Sequence, residues 1–189
     1  MKRILIVLSV ALLLTGAAHA KVNPGIRAGL NVARLELSQD GSVDSSSALG
    51  LHIGGFLQLK TDSALIIQPE LLYTQKGTVD AASDKVTIDY LALPVLLKLN
   101  IGIPGVEQML IQPLVAPEIG YALSANYSGQ PFLENINRFN AGFNLGADLY
   151  YSQDYFIGLR YYLGMTDLLR SKRPAISNTC WTVSVGYMF

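Results

Sequence analysis

The last nine residues alternate without a fault. Trp181, Val183, Val185, Tyr187 and Phe189 are apolar or aromatic, and Thr182, Ser184, Gly186 and Met188 between them are small or mostly polar. A period of two marks a strand with two unlike faces. The same period runs back through the chain. Tyr155, Ile157, Leu159, Tyr161, Leu163 and Met165 alternate with Phe156, Gly158, Arg160, Tyr162, Gly164 and Thr166. Phe139, Ala141, Phe143, Leu145, Ala147 and Leu149 alternate with Asn140, Gly142, Asn144, Gly146, Asp148 and Tyr150.

Eight strands are predicted, near 23–35, 48–60, 64–75, 86–100, 109–123, 138–151, 154–166 and 179–189. Most are longer than the common globular strand of about 5–6 residues and long enough for a tilted membrane strand of about 9–11. Their connections differ in kind. Those at 60–63, 101–108 and 152–154 are short or turn-like, whereas those at 38–47, 76–85, 124–137 and 167–178 are longer and polar. Short turns on one side and long loops on the other are the plan of an outer-membrane barrel. An even strand number puts both termini on the short-turn, periplasmic side. Pro69, Pro94, Pro113 and Pro117 conflict with this plan, because each removes a ladder donor. They are expected to mark bulges or interruptions near the rims, and the fifth strand, with two of them, is the element that departs most from the plan.

The N-terminus accounts for export. Lys2 and Arg3 precede the apolar run Ile4 to Leu14, and Ala18-His19-Ala20 supplies a small-residue cleavage site. Residues 1–20 therefore read as a cleaved secretory signal peptide, and 21–189 as one domain. Discounting Lys2 and Arg3 leaves 12 basic and 14 acidic residues, a balance that gives no case for nucleic-acid binding. Cys180 is the single cysteine, so no internal disulfide and no multi-thiolate metal site can form. After Lys21 no run is long and apolar enough to span as a helix. The longest, Leu91 to Leu99, contains Pro94 and Lys98. A chain like this spans a bilayer only as a closed barrel.

The bulkier face carries Leu, Ile, Val, Phe and Tyr, and the other is rich in Gly, Asn and Gln with isolated charges. A lumen about eight strands wide has no room for bulky layers, so the small polar face is expected inside and the apolar face against lipid. That assignment collects Arg27, His52, Glu70, Lys98, Glu118, Asp148 and Arg160 in the lumen. Leaving His52 aside, three cations face three anions, the balance that a plugged, hydrogen-bonded interior requires. The turn near Gln153 sets Asp148 one diagonal step from Arg160, and the turn near Thr61 brings Glu70 close to the level of His52 and Gly54. Tyr73, Tyr90, Tyr121, Tyr127, Tyr150, Tyr151, Tyr155 and Tyr187 lie near strand ends, as in the aromatic girdles of a membrane barrel.

A lipid-modifying enzyme would need His52 as its base, with Glu70 orienting it and Ser45 to Ser47 as nucleophiles. No fixed spacing supports that set, and a histidine in a polar lumen is more often a hydrogen-bonding filler. No catalytic, cofactor-binding or metal residues are assigned.

Gly25-Ile26-Arg27-Ala28-Gly29-Leu30-Asn31 resembles the opening strand of the PorT-type outer-membrane β-barrel family. So do Gln68-Pro69-Glu70-Leu71-Leu72-Tyr73-Thr74-Gln75-Lys76-Gly77, Tyr90 through Lys98, and the final Gly186-Tyr187-Met188-Phe189. The resemblance implies an all-β, eight-stranded, antiparallel up-and-down transmembrane barrel in the outer membrane of a Gram-negative bacterium. It also implies that Trp181, Val183, Val185, Tyr187 and Phe189 form the terminal strand read by the barrel-assembly machinery. Outer-membrane lipid is the surrounding partner, with secretion or surface proteins at the loops. The expected role is structural or secretion-associated, with a narrow channel or small-ligand transporter and a lipid-modifying enzyme as the alternatives.

Overall fold

A computed structural model describes residues 21–37, 46–60, 64–79, 84–131, 133, 136–152, 154–166 and 176–189. The signal-peptide reading of 1–20 lies outside the described residues. The strands are β1 (Lys21–Leu37), β2 (Ser46–Lys60), β3 (Leu65–Val79), β4 (Lys85–Leu99), β5 (Ile101–Ile103), β6 (Val106–Tyr127), β7 (Gln130–Pro131), β8 (Phe139–Tyr151), β9 (Tyr155–Gly164) and β10 (Ile176–Met188). Eight of them close a ring. Each pairs antiparallel with its sequence neighbour, β4 pairs β6, and β1 pairs β10 from Gly25↔Met188 to Leu37↔Ile176. The result is a closed, eight-stranded antiparallel barrel.

The two short strands extend β6 at its ends. Pro104-Gly105 turns β5 into β6: Pro104 presets the first φ, and Gly105 takes the positive φ of 82°. At the other end Ser128 and Gly129 both adopt positive φ, 49° and 84°, in the two-residue hairpin that leads into β7. β6 therefore runs four residues beyond its expected end, and β3 likewise continues through Lys76 to Val79.

The prolines do not coincide with bulges, but the β2–β3, β3–β4 and β4–β6 pairings are interrupted at Pro69, Pro94 and Pro117 without a change of register. Pro113 and Pro117 pair with Ala147 and Phe143 in an unshifted β6–β8 register, and Pro69 and Pro94 pair in register with Val95 and Glu118. Register shifts occur instead at Ser47/His52, Asp89/Tyr90 and Gly102/Ile103. An in-strand proline forfeits one donor toward one neighbour and keeps its carbonyl and its pairing toward the other. The fifth long strand, which its two prolines put in question, forms and is the longest in the barrel at 22 residues.

The faces are inverted relative to a water-soluble barrel. Leu49, Ile53, Ile119, Phe139, Ile157 and Val185 are exposed on the outside, while Gln58, Gln68, Lys98 and Asp148 are fully buried inside. No helix among the described residues is long and apolar enough to cross a membrane. Outward aromatics pair near both rims. Tyr121–Phe139 meet edge-to-face and Tyr161–Trp181 at a tilt, with centroids 5.2 and 4.7 Å apart near the loop end, and Tyr155–Tyr187 lies near the turn end at 4.9 Å. Tyr90 and Tyr150, expected in the girdles, face the lumen instead and are 1% exposed. Their even positions on β4 and β8 share the inward parity of Lys98 and Asp148.

Candidate functional site

The lumen is organised in layers. At the turn end Phe56, Tyr150, Phe156 and Met188 pack into an apolar floor. Phe56 and Phe156 meet edge-to-face, with centroids 5.8 Å apart.

A cluster of five charged groups lies above the floor. Arg27 of β1 donates from Nη1 to Glu70 Oε1 at 3.2 Å and from Nη2 to both oxygens of Asp148 at 3.0 Å. Arg160 of β9 grips Glu70 through both terminal nitrogens, at 2.7 and 3.0 Å, and reaches Asp148 at 3.5 Å. Lys98 of β4 donates to Asp148 Oδ2 at 2.6 Å. Amides complete the ring: Gln68 donates to Glu70 at 2.6 Å, and Gln58 donates to Gln68 and to the Tyr150 hydroxyl at 3.0 and 3.1 Å. Arg27 also lies 4.8 Å from the Phe156 ring centroid, which seats the cluster on the floor. These charge-assisted and bidentate contacts are the geometry that buried ions need to offset their desolvation.

A second tier lies toward the loop end. Lys76 donates to Glu118 at 3.1 Å, Asn144 donates to the other Glu118 oxygen at 2.8 Å, and the Lys76 ammonium stands 3.3 Å from the Tyr162 ring centroid. Asn31 ties Thr74 to Thr182 across β1, each at 2.7 Å. Tyr162 donates to Asn140. The roof is Ile136, from the connection between β7 and β8, packed against Val86, Ile88, Tyr90, Ala122 and Ala125.

All seven lumen residues expected from sequence point inward and are buried. Arg27, Glu70, Lys98, Asp148 and Arg160 are brought together, Glu118 belongs to the second tier, and His52 joins neither set. Glu70 is level with Phe56, not His52, which pairs with Thr74. The His52 Nε2 atom is buried without a hydrogen-bond partner, and the Glu70 carboxylate is taken by Arg27, Gln68 and Arg160. Of the candidate nucleophiles, Ser47 is exposed, and Ser45 lies outside the described residues. Among the described residues no three His, Cys, Asp or Glu side chains are grouped to hold a metal.

Lys76 was missed because the strand was expected to end at 75. Its signal was the even-numbered series Glu70, Leu72, Thr74, Lys76, which continues the inward parity past that point. With Lys76 included, four cations face three carboxylates among the described lumen residues.

A family model described as "Outer membrane protein beta-barrel domain" matches residues 17–170. The chain belongs to that family. This outer-membrane barrel is similar in fold to Neisserial surface protein A, at 12% identity and a TM-score of 0.56, over 89% of this chain and 99% of that one. It is also similar to Ail, the attachment invasion locus protein of Yersinia pestis, solved with the heparin analogue sucrose octasulfate. That match has 16% identity and a TM-score of 0.50 over 89% of this chain and 99% of that one. Identities this low speak for the architecture alone. No curated protein matches this outer-membrane barrel in sequence.

Proposed function

We propose that the protein is a non-enzymatic integral barrel of the Gram-negative outer membrane, of the PorT type, with a structural or secretion-associated role. In this reading residues 1–20 direct export and are removed, both termini face the periplasm, and the loops contact secretion or surface proteins. The observation that carries it is the five-membered ion cluster, which joins β1, β3, β4, β8 and β9 across the lumen. Side chains committed to one another in this way fill the section a solute would need. With the Ile136 roof and the aromatic floor, the axial route is occupied at three levels. The barrel then acts as an anchor that presents its loops, where function is commonly carried.

Planar-bilayer recording of the refolded protein tests the sealed lumen. A flat baseline is expected, and reproducible conductance steps would favour the narrow-channel alternative. In cells, a deletion strain is expected to change the set of exported or surface proteins. A change confined to lipid composition, reproduced by His52→Ala, would favour the enzyme.

A further inference from the structure

The outward face of the β3–β4–β6 wall changes character at one level. On β4 and its continuation β5, the outward positions Leu91, Leu93, Val95, Leu97, Leu99 and Ile101 are all apolar. On β3 the outward series Leu65, Ile67, Pro69, Leu71 and Tyr73 is equally free of charge. The next outward residues toward the loop end are Asp89 on β4 and Gln75 on β3, and these two lie opposite one another in the ladder.

Asp89 points away from the lumen, between inward Ile88 and Tyr90, which are 3% and 1% exposed. Its carboxylate accepts from Gln75 Nε2 at 2.9 Å, from Ser124 Oγ at 2.5 Å and from the Tyr73 hydroxyl. The β4–β6 register shifts at this point: Tyr90 pairs with Ala122 but Asp89 with Ser124, so Leu123 is the extra residue. A bulge re-aims the side chains around it, and here it brings Ser124 to the carboxylate. Among the described residues no Lys or Arg forms an ion pair with Asp89.

An outward carboxylate held only by neutral donors is costly in hydrocarbon and is stable where water reaches it. Its surroundings agree. Tyr121, opposite Leu91, keeps its ring in the apolar belt while its hydroxyl accepts from exposed Arg138 at 3.3 Å. Farther toward the loops Asp84 accepts from Ser128 Oγ at 2.7 Å and from the Tyr127 hydroxyl at 3.3 Å. The stretch from Leu91 to Ile101 holds eleven residues, which meets the about 9–11 that a tilted strand needs to cross. The apolar crossing is therefore complete without Asp89.

We propose that the lipid headgroup layer at the loop end meets the barrel at Tyr73, Gln75, Asp89 and Ser124, and that β3, β4 and β6 continue beyond it as a wall standing in water. The donors around Asp89 fix the carboxylate at the level where hydrocarbon gives way to headgroups. Val86 and Ala125, which support Ile136, lie past that level, so the roof closes the lumen above the hydrocarbon. The surface offered to partners on this side begins as paired sheet. The placement rests on the outer-membrane reading and is independent of the secretion-associated role.

Spin labels test it. Nitroxides are attached to cysteines replacing Leu93 or Thr87 in a Cys180→Ala background, and the full barrel is refolded into dimyristoylphosphatidylcholine vesicles. Collisions with oxygen, which concentrates in hydrocarbon, are compared with those of a water-soluble nickel chelate. Oxygen is expected to dominate at Leu93 and nickel at Thr87, so that the preference reverses between them. Oxygen dominance at Thr87 would carry the hydrocarbon past Asp89 and overturn the placement. A Thr87 label hidden from both reagents would mean that another polypeptide covers the wall, and would overturn it equally. Nickel dominance at Leu93 as well would refute the membrane reading itself, and the placement with it. Should either variant lack the heat-modified gel shift, labels at outward Ile119 and Tyr127 on β6 decide by the same reversal.

Discussion

Arg27 on β1 and Asp148 on β8 are joined by two hydrogen bonds of 3.0 Å although their strands share no ladder. The contact crosses the lumen and stitches opposite walls through their side chains. Asp148 also takes Lys98 at 2.6 Å, so one carboxylate gathers cations from β1 and β4. Breaking such a set at one member leaves buried charge uncompensated, which costs more than the intact set contributes.

Asp148→Asn is therefore expected to be strongly destabilising. Arg27, Lys98 and Arg160 would then face Glu70 alone, and a loss of about 3–5 kcal/mol is expected. Urea unfolding in vesicles, followed by heat-modifiable gel mobility, reads it. Adding Lys98→Met should restore much of the loss by removing the cation left without its carboxylate. If the double variant is as weak as the single, the charge argument fails.

Gly158 makes room for that contact. A Cβ placed there would come 2.4 Å from Asp148 Oδ1 and 2.9 Å from Ser184 Oγ. Gly158→Ala should cost about 1–3 kcal/mol, as overpacking of a filled interior does. Asp148 cannot retreat without loosening its contacts to Arg27 and Lys98. An alanine variant as stable as the parent in the same unfolding assay would show that the carboxylate has slack.

Ile136 is 1% exposed although it comes from a connection at the loop end. Its contacts with Val86, Ile88 and Tyr90 hold the roof in place. Ile136→Asp would bury an unpaired carboxylate among apolar groups, which should release the roof while leaving the wall's ladders intact. Limited proteolysis of the folded barrel is expected to cut between β7 and β8 faster in this variant, with the heat-modified shift preserved. Equal cutting rates would mean that Ile136 does not hold the connection down.

The terminal strand separates folding from delivery. Phe189 is 67% exposed, and its backbone N–H donates to the Pro24 carbonyl at 2.9 Å. Deleting Phe189 removes one rung and the ring that meets Tyr187 edge-to-face, so refolded stability should fall by about 1–3 kcal/mol. If Phe189 is part of the signal read by the assembly machinery, the amount of barrel in cell outer membranes should fall far more than that stability change allows. Proportionate losses in the two measurements would leave Phe189 as an ordinary wall residue.

The period-two alternation by itself determined eight long strands and which residues share a face, because in a pleated strand every second side chain takes the same side. That the small polar face lies inside followed from the narrow lumen of an eight-stranded barrel together with the loop asymmetry, not from the alternation. The terminal residues Trp181 to Phe189 and the set from Arg27 to Arg160 were legible on that basis. Partner choice was not. Asp148 and Arg160, set one diagonal step apart by their turn, make only a 3.5 Å contact, whereas Arg160 grips Glu70 from across the lumen at 2.7 Å. Closure of the ring decides which strands face one another, and no local period encodes that. The four prolines show the same division. Their cost to the ladder is written in the sequence, but the gathering of Pro69, Pro94 and Pro117 into one panel exists only once β3, β4 and β6 lie side by side in register.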